Sequence, residues 1–158
     1  MDRYQWLLVF HMLGVFMVLG GAMIAGIFNV AALRRERPSE VVVLFRLTRY
    51  AVTSITAGMV VALGFGIWLV ADLDYVKWSN TWVVVALVLW IVANALGGAG
   101  GRRDKQTRAF AEQLAAQGDA PSAELRARLR DPVSLALSWG SGLVVVAILA
   151  MMIWKPGA

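Results

Sequence analysis

The chain has 158 residues, of which 59% are hydrophobic and 16% are charged, with a net charge of +5 and a pI of about 10.2. Soluble domains are usually about 45–50% apolar, so the excess, which is concentrated in long blocks, indicates a membrane protein. The absence of cysteine excludes a disulfide framework, a thiolate metal site and a cysteine nucleophile. The excess of basic residues is better explained by membrane topology than by binding to nucleic acid, so no nucleic-acid partner is expected.

Four windows contain no Asp, Glu, Lys or Arg, and they cover residues 4–33, 50–71, 78–101 and 132–154. A hydrocarbon core of ~30 Å needs ~20 apolar residues in helical form. The windows lack the alternation of barrel strands, so helices are the structure that satisfies their backbone in lipid. We therefore predict an all-α, four-transmembrane-helix bundle that forms one integral membrane domain over residues 1–158. Its helices are expected at about 4–33, 43–71, 79–99 and 132–154.

The first predicted helix carries His11, the only histidine in the chain. At about 100° per residue, Asn29 lies five turns further on and projects from the same face. That face also carries small residues, so His11 is expected to point into the bundle. A polar side chain inside a membrane is costly, so a functional role is a reasonable hypothesis for His11. Three interpretations are open: an interhelical hydrogen bond to a hydroxyl or a carbonyl, an axial ligand to haem, or a proton or copper site.

The second predicted helix begins with a polar patch. Arg46, Arg49, Thr53 and Thr56 fall within about 80° of one face, and Asn29 lies at a similar depth on the first helix. Two guanidinium groups with neighbouring hydroxyls can hold a lipid phosphate, a haem propionate or another anion. The alternative is that both arginines simply extend to the lipid headgroups.

The third predicted helix leads into a basic loop at residues 102–131. Asn94 is a polar residue in mid-span, and it is expected to bond across helices. In the loop we predict two short amphipathic helices, near 103–116 and 122–130, with Gly118 as the stop between them. Such helices commonly lie on the inner leaflet, so anionic inner-leaflet lipid is an expected partner. Asp131 and Pro132 are predicted as the cap and first turn of the fourth helix.

The fourth predicted helix offers two candidates for a second haem ligand. One histidine cannot give bis-histidine ligation in a monomer, whereas Met151 and Met152 lie near the outer end of this helix, at roughly the depth of His11. Methionines in an apolar chain are more often packing residues.

Small residues four positions apart occur in every span, which predicts helices in close approach. They are Ala22 and Gly26; Gly58, Ala62 and Gly66; Ala93, Gly97 and Gly101; and Ser134, Ser138 and Gly142.

The orientation follows from the basic residues. Of the 15 Lys and Arg residues, all but Arg3, Lys77 and Lys155 lie between the first two helices, at the start of the second, or in the 102–131 loop. The positive-inside rule places these segments in the cytoplasm. Both termini are then extracytoplasmic, and the compartment is the bacterial cytoplasmic (inner) membrane. The basic cluster follows the first apolar block, which is the reverse of the order in a signal peptide, so this helix is expected to be retained.

Several short segments resemble a family of small bacterial four-helix membrane proteins known as a domain of unknown function. They are Phe10-His11-Met12-Leu13-Gly14, Gly20-Gly21, Phe45-Arg46-Leu47, Gly66-Ile67-Trp68-Leu69 and 151–156. That family is distantly similar to copper-resistance D-type proteins and to the HemJ type of protoporphyrinogen oxidase. In the latter, a histidine of the first helix is associated with haem, together with basic residues. The resemblance implies the same association for His11 and for Arg46 or Arg49 in this chain.

Two functions are weighed from these features. The first is a non-catalytic binding bundle or an accessory subunit of a membrane complex, with membrane proteins or further copies of the chain as partners. The second is a redox protein that binds haem b through His11. Transport is disfavoured because no span carries a mid-membrane charge, and no hydrolytic set of residues can be assembled within the spans, so we expect no catalytic residues.

Overall fold

The structure, a computed structural model, describes residues 2–73, 76 and 78–156. Most of these residues are helical and none lies in a strand; the helices are α1 (Arg3–Ala32), α2 (Pro38–Asp72), α3 (Thr81–Ala116), α4 (Ala123–Leu129) and α5 (Pro132–Trp154). Within the described residues, four segments are long and apolar enough to cross a membrane: α1, α2, α3 and the combined α4–α5 segment, with mean hydropathy between 2.0 and 2.3 in their most apolar windows. The predicted all-α architecture with four spanning helices is confirmed. Lys77, used above for orientation, lies outside the described residues.

The helix ends follow local sequence signals. Pro38 occupies the first turn of α2, where its missing N–H is not needed. Gly118, at φ +114°, adopts the left-handed conformation just after α3 ends, as its predicted role as a stop requires. Asp131 caps α5: its Oδ2 accepts hydrogen bonds from the amide and the hydroxyl of Ser134, at 2.9 and 2.8 Å. The predicted cap and the Pro132 start are therefore confirmed.

The third helix is longer than the sequence analysis predicted. Residues 103–116 are helical, but they continue α3 without a break instead of forming a separate surface helix. The glycines near residues 97–101 weaken a helix by only about 1 kcal/mol each, and the following Arg, Lys and Gln residues favour helix. The extension is anchored at Ala111, which is completely buried. The basic loop therefore begins with a rigid continuation of a spanning helix.

The helices pack in the order α1, α2, α3, α5, and the closest pair is the antiparallel α1–α2 hairpin. A Cβ atom placed on Gly14 would lie 2.5 Å from the Ala62 amide nitrogen and 2.8 Å from the Gly58 carbonyl oxygen. The two backbones thus meet at a distance that only glycine permits. Gly58 was predicted to take part in helix packing and does so, whereas Gly26 has no atom within 4 Å of its Cβ position.

A hydrophobic core at the basic end of the bundle joins α1, α2, α3 and α4. We call it the basic-end core, and its buried members are Ala32, Val41, Val42, Phe45, Ala111, Leu125 and Leu129. Leu125 and Leu129, which form the apolar face of α4, are 2% and 9% exposed. We expected α4 to rest on the membrane surface, but its apolar residues pack against the protein instead. An amphipathic sequence predicts that the apolar face of a helix is covered, but it does not determine whether lipid or protein covers it.

One polar contact ties the turn after α3 to the start of α2. The Asp119 carboxylate accepts hydrogen bonds from the Ser39 amide and hydroxyl, at 2.7 and 2.6 Å. These two bonds hold the pKa of the Asp119 carboxyl below its usual value, and the nearby Arg37 lowers it further. A carboxylate at the N-terminus of a helix also complements the helix dipole. The basic-end core is therefore held by a charged cap as well as by apolar packing.

Candidate functional site

His11 lies inside the α1–α2 hairpin. It belongs to the buried face of α1, with Leu7, Gly14, Val18 and Gly21, and its own side chain is 9% exposed. Its Nδ1 lies 2.8 Å from the carbonyl oxygen of Ala62 on α2. The prediction that His11 points towards other helices is confirmed, and the interhelical hydrogen bond to a carbonyl is present.

The hydrogen bond determines which ring nitrogen of His11 carries the proton. A carbonyl oxygen can only accept, so Nδ1 must donate, and in the neutral ring Nε2 then has the free lone pair. No hydrogen-bond partner for Nε2 is found among the residues that the structure describes. An imidazole whose Nδ1–H is fixed by a backbone carbonyl has the orientation common in metal-binding histidines.

Gly66 gives the imidazole its space. A Cβ atom on Gly66 would lie 3.1 Å from both Cε1 and Nδ1 of His11. This contact is tighter than ordinary van der Waals packing, so a side chain at Gly66 would push the ring away from Ala62. The small residue that the sequence analysis assigned to helix packing therefore also positions the histidine.

The two methionines predicted as haem ligands lie on a different helix pair from His11. Met151 and Met152 are half-buried on α5, and α5 packs chiefly along α3, whereas His11 packs against α2. Within the described ranges, no group of three or more His, Cys, Asp or Glu residues is arranged to hold a metal ion. Ligation by either methionine stays a prediction.

The polar patch on α2 is present but is arranged differently from the predicted anion site. Arg46 and Arg49 are exposed, and no ion pair to either is found among the described residues. The Thr53 and Thr56 hydroxyls donate to carbonyl oxygens one turn back in α2, at 3.0 and 2.9 Å. Asn29 is half-buried on α1. The two guanidinium groups are therefore free to bind an anion, while the hydroxyl protons are already used.

An open groove on the α1–α2 hairpin was missed by the sequence analysis. It has a volume of about 390 Å³, and its lining includes Phe16, Gly20, Phe28, Leu47 and Tyr50. Gly20 has no atom within 4 Å of its Cβ position, so the groove is open above it. The adjacent glycines at 20 and 21 were a usable signal, because one packs against α2 while the other leaves space beside it.

Asn94 behaves differently from its prediction. Its Nδ2 donates to the carbonyl oxygen of Trp90 in its own helix, at 2.8 Å, and its side chain is exposed. The prediction that Asn94 forms a hydrogen bond to another helix of the chain is therefore wrong. Gly98 and Gly101 follow at helical spacing on the same face, and neither has an atom within 4 Å of its Cβ position. This face of α3 has no neighbouring helix in the described structure.

The family model described as "Predicted integral membrane protein (DUF2269)" matches residues 5–156, so the chain belongs to this family. Among curated proteins and solved structures, no significant match to the chain was found. The distant similarity to copper-resistance D-type and HemJ-type proteins stays a prediction, as do the roles it implies for His11, Arg46 and Arg49.

Proposed function

We propose that this member of the family is a non-catalytic membrane subunit that acts by associating with other transmembrane helices through α3. The observation that carries the proposal is Asn94, an exposed carboxamide in the middle of an apolar span. It lies three residues from the centre of the 81–101 segment, or about 4.5 Å at 1.5 Å per residue. Polar groups at this depth usually face another helix, because lipid cannot hydrogen bond to them.

The surroundings of Asn94 support the same proposal. Gly98 and Gly101 leave the backbone of α3 open to close approach, which is how transmembrane helices often associate. Helix α5 contains no buried residue, so the α3–α5 pair also keeps much of its surface available. The Asn94 carboxamide retains an oxygen and a second N–H after bonding to Trp90.

A second copy of the chain is the simplest partner. Copies inserted in one orientation are related by a two-fold axis along the membrane normal, so a residue facing that axis meets itself at the same depth. Two Asn94 carboxamides can then donate to and accept from each other. In this proposal the protein lies in the bacterial cytoplasmic membrane with its basic segments in the cytoplasm and both termini outside.

Cross-linking of single cysteines tests this contact, since the native chain contains no cysteine. Gly98→Cys is expected to form an oxidised dimer in native membranes, because the paired glycines bring the two backbones within disulfide range. Adding Asn94→Leu is expected to weaken association about fivefold, which corresponds to a hydrogen bond of ~1 kcal/mol. The measurement is the dimer fraction on non-reducing gels.

The matched control is Leu143→Cys, on the exposed surface of α5, where the side chain is 70% exposed. Equal cross-linking of Gly98→Cys and Leu143→Cys would mean random collision and would refute the contact. A cross-linked product of different mass that depends on Asn94 would assign the partner helix to another protein of a membrane complex.

A haem-binding redox protein is the second candidate, and the free Nε2 of His11 favours it. The donor chemistry of His11 fits one axial position of haem. The purified protein, after incubation with haem, is expected to show a Soret band that is lost in His11→Ala, and a shift of that band in Met151→Ala or Met152→Ala would identify the second ligand. A colourless preparation that takes up no haem would exclude this function.

A further inference from the structure

The groove on the α1–α2 hairpin has the depth of one leaflet. On α1 its lining runs from Phe16 to Phe28, which is about 18 Å at 1.5 Å per residue. It starts near the middle of α1 and ends at the basic end of the hairpin. Half of a hydrocarbon core of ~30 Å is about 15 Å, so the groove matches the acyl region of a single leaflet.

The walls of the groove suit a hydrocarbon chain. Phe16, Ile24, Phe28 and Leu47 provide apolar side chains, and Gly20 leaves the floor open. The Ser54 hydroxyl, which also lines the groove, already donates to the Met17 carbonyl oxygen at 3.3 Å. The inner part of the groove therefore offers no free hydrogen-bond donor to a polar ligand.

Positive charge lies next to the basic end of the groove, because Arg46 directly precedes Leu47, one of the lining residues. Arg46 and Tyr50 are one turn apart on α2, so their side chains are neighbours, and the Tyr50 side chain is 75% exposed. Neither Arg46 nor Arg49 has a carboxylate partner among the described residues, whereas Arg35 lies 3.9 Å from Glu40. The headgroup phosphate of a lipid in this leaflet would lie at the depth of these free guanidinium groups.

We infer that the α1–α2 groove binds one acyl chain of an anionic phospholipid, with the headgroup phosphate held by Arg46 beside the Tyr50 hydroxyl. The lipid is recognised by charge complementarity at the basic end and by the length and apolar lining of the groove. This inference concerns the α1–α2 hairpin and is independent of the association proposed for α3.

The test is native mass spectrometry of the full chain in mild detergent, titrated with phosphatidylglycerol or phosphatidylcholine of identical acyl chains. The first phosphatidylglycerol is expected to bind more tightly than the first phosphatidylcholine. Arg46→Gln is expected to weaken binding of the first phosphatidylglycerol about fivefold, the typical effect of one basic residue near anionic lipid. Arg102→Gln, an exposed arginine on α3, is the charge control and should leave the first site unchanged.

A pair of glycine variants distinguishes lipid binding in the groove from nonspecific lipid binding to the protein surface. Gly20→Leu places its Cβ in open space inside the groove, so the side chain occupies the position of the acyl chain and is expected to abolish the tight first site. Gly26→Leu adds the same bulk to the same helix, where its Cβ also has no atom within 4 Å, but outside the groove lining. Equal effects of the two variants would overturn the inference. It would also be overturned by equal binding of both lipids, or by a Gly20→Cys variant that cross-links to a second copy.

Discussion

Gly14→Ala is expected to destabilise the protein by about 3 kcal/mol, the upper end of the usual range for overpacking. The added methyl group would lie 2.5 Å from the Ala62 amide nitrogen and 2.8 Å from the Gly58 carbonyl oxygen. Both are backbone atoms, so the contact cannot be relieved by a side-chain rotation and the two helices must separate. Unfolding in mixed micelles, followed by circular dichroism, measures the change.

Gly20→Ala is the matched control for this prediction, on the same helix and with no atom within 4 Å of its Cβ position. It should be neutral or slightly stabilising, because alanine favours a helix by up to about 1 kcal/mol over glycine. Opposite signs for the two variants would identify close backbone approach as the main determinant of hairpin stability. Equal effects of Gly14→Ala and Gly20→Ala would show that helix propensity alone determines the change in stability.

Leu125→Ala is expected to cost about 2–5 kcal/mol, as is typical for a buried leucine replaced by alanine. Leu125 is 2% exposed in the basic-end core, where α4 meets α2 and the extension of α3. Its loss should release α4, so amide hydrogens of residues 117–129 should exchange faster and proteolysis near Gly118 should increase.

Leu143→Ala provides the comparison, since this leucine is 70% exposed on α5. It should change neither hydrogen exchange in α4 nor cleavage near Gly118. If Leu125→Ala behaves in the same way, then α4 is held by the membrane surface and not by the basic-end core.

The spans and the direction of His11 could be predicted because both depend on local rules. Length and hydropathy define a spanning helix without reference to its neighbours. His11 could be directed inward because a polar ring in mid-helix is costly in lipid, and it lies between α1 and α2 as expected. The acceptor at Ala62 could not be predicted, because every carbonyl oxygen of a facing helix is chemically equivalent in sequence.

The face of each helix that meets a neighbour was harder to predict. Small residues recur at several offsets in α1, so spacing alone favoured Gly26, whereas the contact uses Gly14 and Gly21. The same ambiguity affected Asn94, whose side chain was expected between helices and is exposed. Both errors come from a pattern that gives the period of a helix and leaves its rotation undetermined.

The separate packing of α1 and α2 has a consequence for biogenesis. Their contacts involve only residues up to Asp72, so the hairpin can form in the membrane while α3 is still being synthesised. The basic-end core cannot form until later in synthesis, because Ala111 and Leu125 are needed to cover Val41 and Phe45. Assembly can thus proceed in the order of synthesis, with Asp119 reaching Ser39 only after three long helices have been made.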